Sequence, residues 1–282
     1  MVSVAEARGQ DRYGQKVNYA GQKLDLVVVA PYAGLCNRMR VMARVVAAGR
    51  KIGSFPQFSW LSHRACPCEF EDLFVPDGRE VVTQSGIPPG FVAYQMERRR
   101  VGAKVKAEIY FVSEGVLVMT GRSSRFSPAG GHDVSVEDIE QAFDIFRPTK
   151  EISAEVDSFM AGRRFSTGLH IRRTDHKPAR ENSPDSVFEE AASRADGLVF
   201  LATDNPDTQR KFKAKFGGKI LFYSEMVGGL MRNTTMQSAL VDLLLLSRCD
   251  VIIGSYRSSF SHSAQILSRL RKHKVVSEVS EG

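Results

Sequence analysis

From residue 165 onward, short apolar runs alternate with helix-patterned stretches, and this alternation constrains the fold more than any other feature of the chain. STGLHIR (166–172), GLVFLAT (197–203), KILFYS (219–224) and DVIIGS (250–255) read as strands. Each is nearly continuous in apolar residues, as strands covered on both faces must be. Ser183-Pro184-Asp185 and Asn205-Pro206-Asp207 between them are helix starts, each with a capping side chain before a proline at the first helical position. The first of these helices runs to about Ala195 and the second stops at Gly217-Gly218. Thr234 or Thr235 caps a third that continues to Ser247, and SSFSHSAQILSRLRK (258–272) reads as a fourth. Strands alternating with helices of roughly 11–15 residues predict βαβ units and a parallel sheet. Ligands of such sheets sit beyond the carboxyl ends of the strands.

The rest of the chain is less regular. Residues 1–22 form a polar segment. LDLVVVA (24–30) reads as a buried strand, PYAGLCN as a glycine-containing turn, and RMRVMARVVAAGRK (38–51) as a helix, so this part opens β-loop-α. Residues 52–130 carry short apolar stretches (FPQFSW, FVAYQM, EIYFV, GVLVMTG) separated by Gly and Pro, which predicts a loop-rich region with some strands. Ser135 is placed to cap VEDIEQAFDIF, Pro148 breaks that helix, and Thr149 caps another that ends near Gly162. The expected organisation is an N-terminal α/β domain over 23–148 and a C-terminal Rossmann-like domain over 149–282.

With 43% apolar and 25% charged residues in 282, the composition excludes collagen-like and wholly disordered chains. The net charge of +7 favours an anionic partner without choosing among phosphates, nucleic acid and acidic membranes. The first residues lack the apolar core of a secretory signal, and no apolar run is long enough to span a bilayer. The expectation is therefore a soluble, cytoplasmic chain. Cys66-Pro67-Cys68 has the wrong spacing for a zinc knuckle, no metal site is expected, and the four cysteines read as reduced thiols.

Chemistry-bearing residues gather at the strand ends. His170-Ile171-Arg172-Arg173-Thr174-Asp175-His176-Lys177 leaves the first strand of the C-terminal half with two guanidinium forks suited to phosphate oxygens. Asp204 leaves the second, as a hydroxyl or base acceptor or as a helix cap. Ser258, Ser259 and Phe260 open the last helix, whose N–H groups suit an anion, although serines there are also ordinary caps. Asp242 sits beside Leu243-Leu244-Leu245-Leu246, either exposed or holding a specific donor such as the paired N–H groups of guanine. In the N-terminal half, Gly34-Leu35-Cys36-Asn37-Arg38 joins strand to helix with a glycine that lets backbone approach a ligand.

HIRRTDHK (170–177), FLATDNP (200–206) and LVDLLLLSRCDVIIGSYRSSFS (240–261), in this order, resemble the motif series of fucosyltransferases related to the α1,6-fucosyltransferases, including the rhizobial nodulation enzyme. GLCNRMR resembles the glycine-containing loop that opens related enzymes. The resemblance implies a GT-B arrangement, two Rossmann-like domains facing across a cleft, with GDP-fucose as donor, inversion at the anomeric carbon, and no metal or other cofactor. It implies that Arg172 holds the β-phosphate with Arg173 as its essential neighbour. His170 and Asp242 lie around the guanosine, Asp204 matches the first acid of the family's TDD, and Ser258 and Ser259 meet the diphosphate. Gly34, Asn37, Arg38 and Phe260 complete the expected donor contacts. Two departures stand out: Asn205 replaces the family's second acid, and His176 displaces the lysine to Lys177. Taking Lys177 as the match puts the candidate base at Glu181, with Asp175 as the alternative.

A leaving diphosphate gathers negative charge that fixed cations and N–H dipoles must meet, and a carboxylate must take the acceptor hydroxyl's proton. The expected partners are GDP-fucose and a glycan or oligosaccharide acceptor. Two alternatives keep the site: a transferase for another nucleotide sugar, and a non-catalytic GDP-sugar or glycan-binding protein. Nucleic-acid binding, suggested by Glu97-Arg98-Arg99-Arg100, finds no supporting motif and is not expected.

Overall fold

The computed structural model describes residues 17–18, 26–29, 33–53, 55, 57–84, 109–113, 116–119, 126–127, 134–174, 176–224 and 235–280. The basic run at 97–106, the FVAYQM stretch and Asp175 lie outside them. Contacts divide the chain into two compact units, 1–147 and 148–282.

In the first unit, β1 (Val17–Asn18) and β7 (Phe126–Ser127) form a short parallel pair. The main sheet has the order β4-β3-β2-β6-β5, with β2 (Leu26–Val29) at its centre. The strands β3 (Gln57–Ser59), β4 (Thr83–Gln84) and β6 (Val116–Met119) run parallel to it, and β5 (Ile109–Ser113) is antiparallel to β6. Helix α1 (Leu35–Ile52) starts three residues before the apolar spacing indicates, because Leu35 and Cys36, read as turn, are buried in its first turn. It is buried along most of its length, and its last turn is tied down by Arg50 to Glu80 and Asp144 and by Lys51 to Asp138. Gly53 ends it at φ 66, a left-handed position that a residue with a Cβ rarely adopts. Helix α2 (Val136–Gln141) begins with the expected Ser135 cap, which Asp138 completes as a capping box, and continues into a 3₁₀ turn over Ala142–Ile145.

The second unit holds one parallel sheet of order β10-β9-β8-β11: β8 (Phe165–Ile171), β9 (Leu198–Thr203), β10 (Ile220–Leu221) and β11 (Val251–Gly254). Thr149 caps α3 (Lys150–Met160), Asn205 caps α6 (Pro206–Phe216) and Thr235 caps α7 (Met236–Ser247), as the sequence predicts. Ser183 is not the cap of α5 (Asp185–Arg194); that place falls to Pro184, and the Ser183 hydroxyl instead accepts from Tyr256 N at 2.8 Å. A short helix α4 (Lys177–Asn182), absent from the sequence reading, precedes it, capped by His176 Nδ1. Helix α8 (Ser259–Ser280) follows β11.

Side-chain alternation explains the layering. Leu169, Ile171, Val199 and Leu201 turn to one face of the sheet, where Phe188 and Ala192 of α5 and Phe212 of α6 bury against them. Gly168 and His170 turn to the other face. A Cβ at Gly168 would stand 2.7 Å from Leu246 Cδ1 and 2.8 Å from Cys249 Sγ, and one at Gly254 would stand 2.4 Å from Ser261 Cβ and Oγ. Glycine at both points lets α7 and α8 approach the sheet. The strands run outward from β8 in two directions, β9 and β10 to one side and β11 to the other. Chain order therefore reverses between β8 and β11, and the carboxyl ends of those strands mark the ligand position in open parallel sheets.

Candidate functional site

At that reversal β8 and β11 are stitched together by Ser255. Its N–H and hydroxyl both donate to His170 O at 3.0 Å, and its oxygen accepts from Arg172 N at 2.9 Å. His170 is buried; its Nδ1 lies 2.7 Å from Ser261 Oγ, and its ring stacks on Phe260 with centroids 4.6 Å apart. Burial pulls its pKa down to about 3, with the Arg172 charge acting in the same direction and Asp204 opposing it, so the ring is a neutral hydrogen-bonding group at physiological pH. Ser258 is buried just before α8 and accepts from Ser261 N at 3.5 Å; Ser259, half-buried, begins the helix. Arg257, between β11 and α8, has a φ of 52 and is the one non-glycine residue with positive φ among the described residues. Backbone strain of this kind collects where a loop is shaped around a ligand.

The two arginines diverge. Every guanidinium nitrogen of Arg173 is engaged within the unit: Nε and Nη2 donate to Asp185 at 3.1 and 2.6 Å, Nη2 also to Ser183 O at 2.7 Å, and Nη1 to Arg172 O at 3.1 Å. The expected ligand-facing fork is thus a brace that ties the exit of β8 to Ser183 and Asp185. Arg172 keeps a partly exposed side chain whose Nε lies 3.9 Å from Asp204. Asp204 neither caps α6 nor stands open: its carboxylate accepts from Arg173 N at 2.7 Å and from Thr174 N and Oγ1, pinning the β8 exit to the β9 exit. Asn205, the departure from the family pattern, supplies the cap, accepting from Thr208 N at 2.8 Å.

Asp242 lies half-buried on α7 and makes no hydrogen bond or ion pair among the described residues. Burial pushes its carboxyl up to about 7. Its charge is felt at Tyr223, two residues past the carboxyl end of β10; burial, the hydrogen bond from Tyr223 to Glu155 and these charges push that phenol up to about 12. Glu181 and Lys177 are exposed on α4 as an i,i+4 pair at 3.6 Å.

In the N-terminal unit, Gly34 O accepts from the N–H groups of Asn37 and Arg38, and Gly34 and Asn37 are both half-buried. Arg38 is wholly buried. It donates to Ala33 O at 2.9 Å and Leu61 O at 2.6 Å and lies 5.0 Å from the Trp60 ring centroid, so its side chain is a core brace and not the ligand contact expected. Burial lowers its pKa, against the charges of Cys66, Cys68 and Glu69. Ser255, Ser261 and Asp185 are the site-forming residues that sequence reasoning missed. The signal for Ser261 was its place one turn into a helix that must approach a glycine; for the other two the partners are too distant in sequence to be read.

The second unit is thus an open parallel α/β sheet with an arginine at one strand exit and a helix start at the neighbouring one. Among solved structures the chain is similar to fucosyltransferase NodZ from Bradyrhizobium, at 16% identity and TM-score 0.54, covering 87% of this chain and 94% of that one. The NodZ α1,6-fucosyltransferase soaked with GDP-fucose matches at 18% identity and TM-score 0.54, over 87% and 93%. A point mutant of Arabidopsis thaliana FUT1 in complex with GDP matches at 11% identity and TM-score 0.53, over 94% of this chain and 73% of that one. No family model and no curated protein sequence matches. The fold is that of these fucosyltransferases, in agreement with the resemblance drawn from the three motifs.

Proposed function

We propose that the protein is a metal-independent, inverting glycosyltransferase that moves fucose from GDP-fucose to a glycan hydroxyl. In this reading 23–148 is the acceptor-side domain, 149–282 is a doubly wound nucleotide-sugar domain, and the enzyme works in the cytoplasm; no helix of the described residues is long and apolar enough to cross a membrane. The observation that carries the reading is Asp242. A partly buried carboxyl with no hydrogen-bond or ion-pair partner among the described residues is costly, and two adjacent N–H donors, such as guanine presents, would satisfy it.

Arg172 and the N–H groups opening α8 at Ser258 and Ser259 take up the charge that grows on the leaving diphosphate. His170, neutral and fixed by Ser261, offers a hydrogen bond beside the nucleoside without a charge that would titrate. Arg173 acts at one remove, holding the loop that carries Arg172. The acceptor hydroxyl attacks in line from the face opposite the diphosphate, and a carboxylate takes its proton: Glu181, with Asp175 as the alternative. The exposed Glu181–Lys177 pair leaves the carboxylate reachable by an acceptor.

The direct test is thermal melting in EDTA. At about 100 times its Kd, GDP is expected to stabilise the protein by about 2.7 kcal/mol, several degrees, and more than ADP or UDP does at equal concentration. Equal shifts for the three nucleotides would remove the guanine assignment, and turnover of GDP-fucose against a glycan panel then tests transfer itself.

Asp242→Asn separates stability from recognition. Because the folded pKa is raised, native protein holds a proton that unfolded chain has already released between about pH 4 and pH 7. Stability from this group is therefore lost as pH rises through that window. The amide removes the loss, so the variant is expected to melt higher than the parent at pH 8 and not at pH 4. The same variant is expected to lose the preference for GDP over ADP. Melting curves at the two pH values, with and without nucleotide, check both.

A further inference from the structure

In the N-terminal unit, Cys66 and Cys68 flank Pro67, and their sulfurs stand 3.7 Å apart. Residues two apart on an extended strand share a face but are separated by roughly 7 Å. A tight turn brings these together: Cys68 N donates to Cys66 O at 3.0 Å across Pro67, whose ring fixes φ near the value an inverse γ-turn requires. The turn is held from both sides. Cys66 exchanges backbone hydrogen bonds with His63 at 2.7 and 3.2 Å, and Trp60 Nε1 donates to Cys68 O at 3.1 Å. The sulfurs are buried, while Pro67 and Glu69 are exposed, so the pair lies one side chain beneath the surface.

The electrostatics separate the two thiols. Cys68 hydrogen-bonds to Cys66 and holds its pKa below the ordinary thiol range; the Arg38 guanidinium adds to this, against burial. The same bond, with burial, raises Cys68. Cys249, in the other unit, is pushed up to about 12 by burial. A thiolate-favoured sulfur touching a second thiol is the arrangement of a nucleophilic and a resolving cysteine.

We propose that Cys66 and Cys68 form a reversible dithiol–disulfide site that takes hydrogen peroxide as its oxidant. The Cys66 thiolate attacks one peroxide oxygen and the O–O bond breaks; the departing hydroxide takes a proton and leaves as water, and Cys66 becomes a sulfenic acid. Cys68, deprotonated as it attacks, forms the S–S bond, the S–O bond breaks and a second water leaves. Two thiols are oxidised to one disulfide while one peroxide is reduced to two waters. An external dithiol reverses the change by exchange.

The chain carries its own reporter, because Trp60 is the sole tryptophan and bonds to the Cys68 carbonyl while its ring faces Arg38. The test is to titrate the reduced full-length protein with peroxide. The expected result is a loss of about 2 Da, reversed by dithiothreitol. Free thiols in denaturant are expected to fall from four to two, and tryptophan emission to change in step. Cleavage after Arg64 and Arg79 isolates both sulfurs on the peptide 65–79, which locates the bond. Cys68→Ser is expected to stop at a dimedone-reactive sulfenic acid on Cys66, and Cys66→Ser to react at least about 10-fold more slowly. Circular dichroism establishes that each variant is folded. Peroxide that leaves the folded parent at four thiols, or that oxidises Cys36 or Cys249 ahead of this pair, overturns the proposal.

Discussion

Replacing Arg172 with alanine is expected to lower fucosyl transfer from GDP-fucose by about 100- to 1,000-fold, the range seen when one donor to a developing anion is removed. The fold is expected to survive. The position of residue 172 is set by its backbone, through the bond from Arg172 N to Ser255 Oγ at 2.9 Å, and alanine keeps that bond. The side chain's ion pair with Asp204 is long at 3.9 Å and partly exposed, so its loss costs at most about 1 kcal/mol. Asp204 retains its bonds from Arg173 N and Thr174 N. Arg173→Ala makes the informative contrast. It strips Asp185 of a partner at 2.6 Å and leaves Ser183 O without its donor, so a lower melting temperature should accompany any loss of rate. Initial rates at saturating and limiting donor, with melting curves of both variants, distinguish a residue that meets the leaving group from one that holds the loop. Full activity in a folded Arg172→Ala protein would end the leaving-group role.

What could be read in advance divides along sequence distance. Helix caps act over three residues, and those at Ser135, Thr149, Asn205 and Thr235 stand where side-chain chemistry puts them. The strands over 165–254 follow from their apolar runs, although β10 keeps only Ile220 and Leu221 of the expected six residues. The failures are tertiary. Ser183 has every local mark of a cap, yet its hydroxyl serves Tyr256, 73 residues away, and Pro184 takes its place. Arg173 sits in the same local sequence setting as Arg172, yet Asp185 engages its guanidinium at 2.6 Å. Arg38 reads as a charge at a loop and is instead buried beside Trp60, an arrangement that depends on the carbonyl of Leu61, 23 residues away. Composition and spacing locate charged groups near a site, but only the fold decides which of them are already engaged.

The same distinction makes Gly254→Ala the substitution with the largest expected effect on stability. Its added methyl would stand 2.4 Å from both Cβ and Oγ of Ser261, well inside contact distance. Ser261 is buried near the start of α8 and holds His170 Nδ1 at 2.7 Å, and His170 is itself the ladder partner of Gly254. No flexible chain end can turn aside, so either α8 lifts from β11 or the β8–β11 ladder distorts. Overpacking of this kind costs about 1–3 kcal/mol or more, a fall of several degrees in melting temperature. Gly218→Ala is the control: a Cβ there meets open space, and stability should change by less than about 0.5 kcal/mol. Adding Ser261→Gly to Gly254→Ala removes the clash together with the His170 bond. That pair of changes is expected to recover part of the melting temperature without restoring nucleotide-induced stabilisation, because the ring at the reversal point is then no longer held. A Gly254→Ala protein that melts like the parent would mean that α8 does not lie against β11 at Ser261, and the site built on that contact would fall with it.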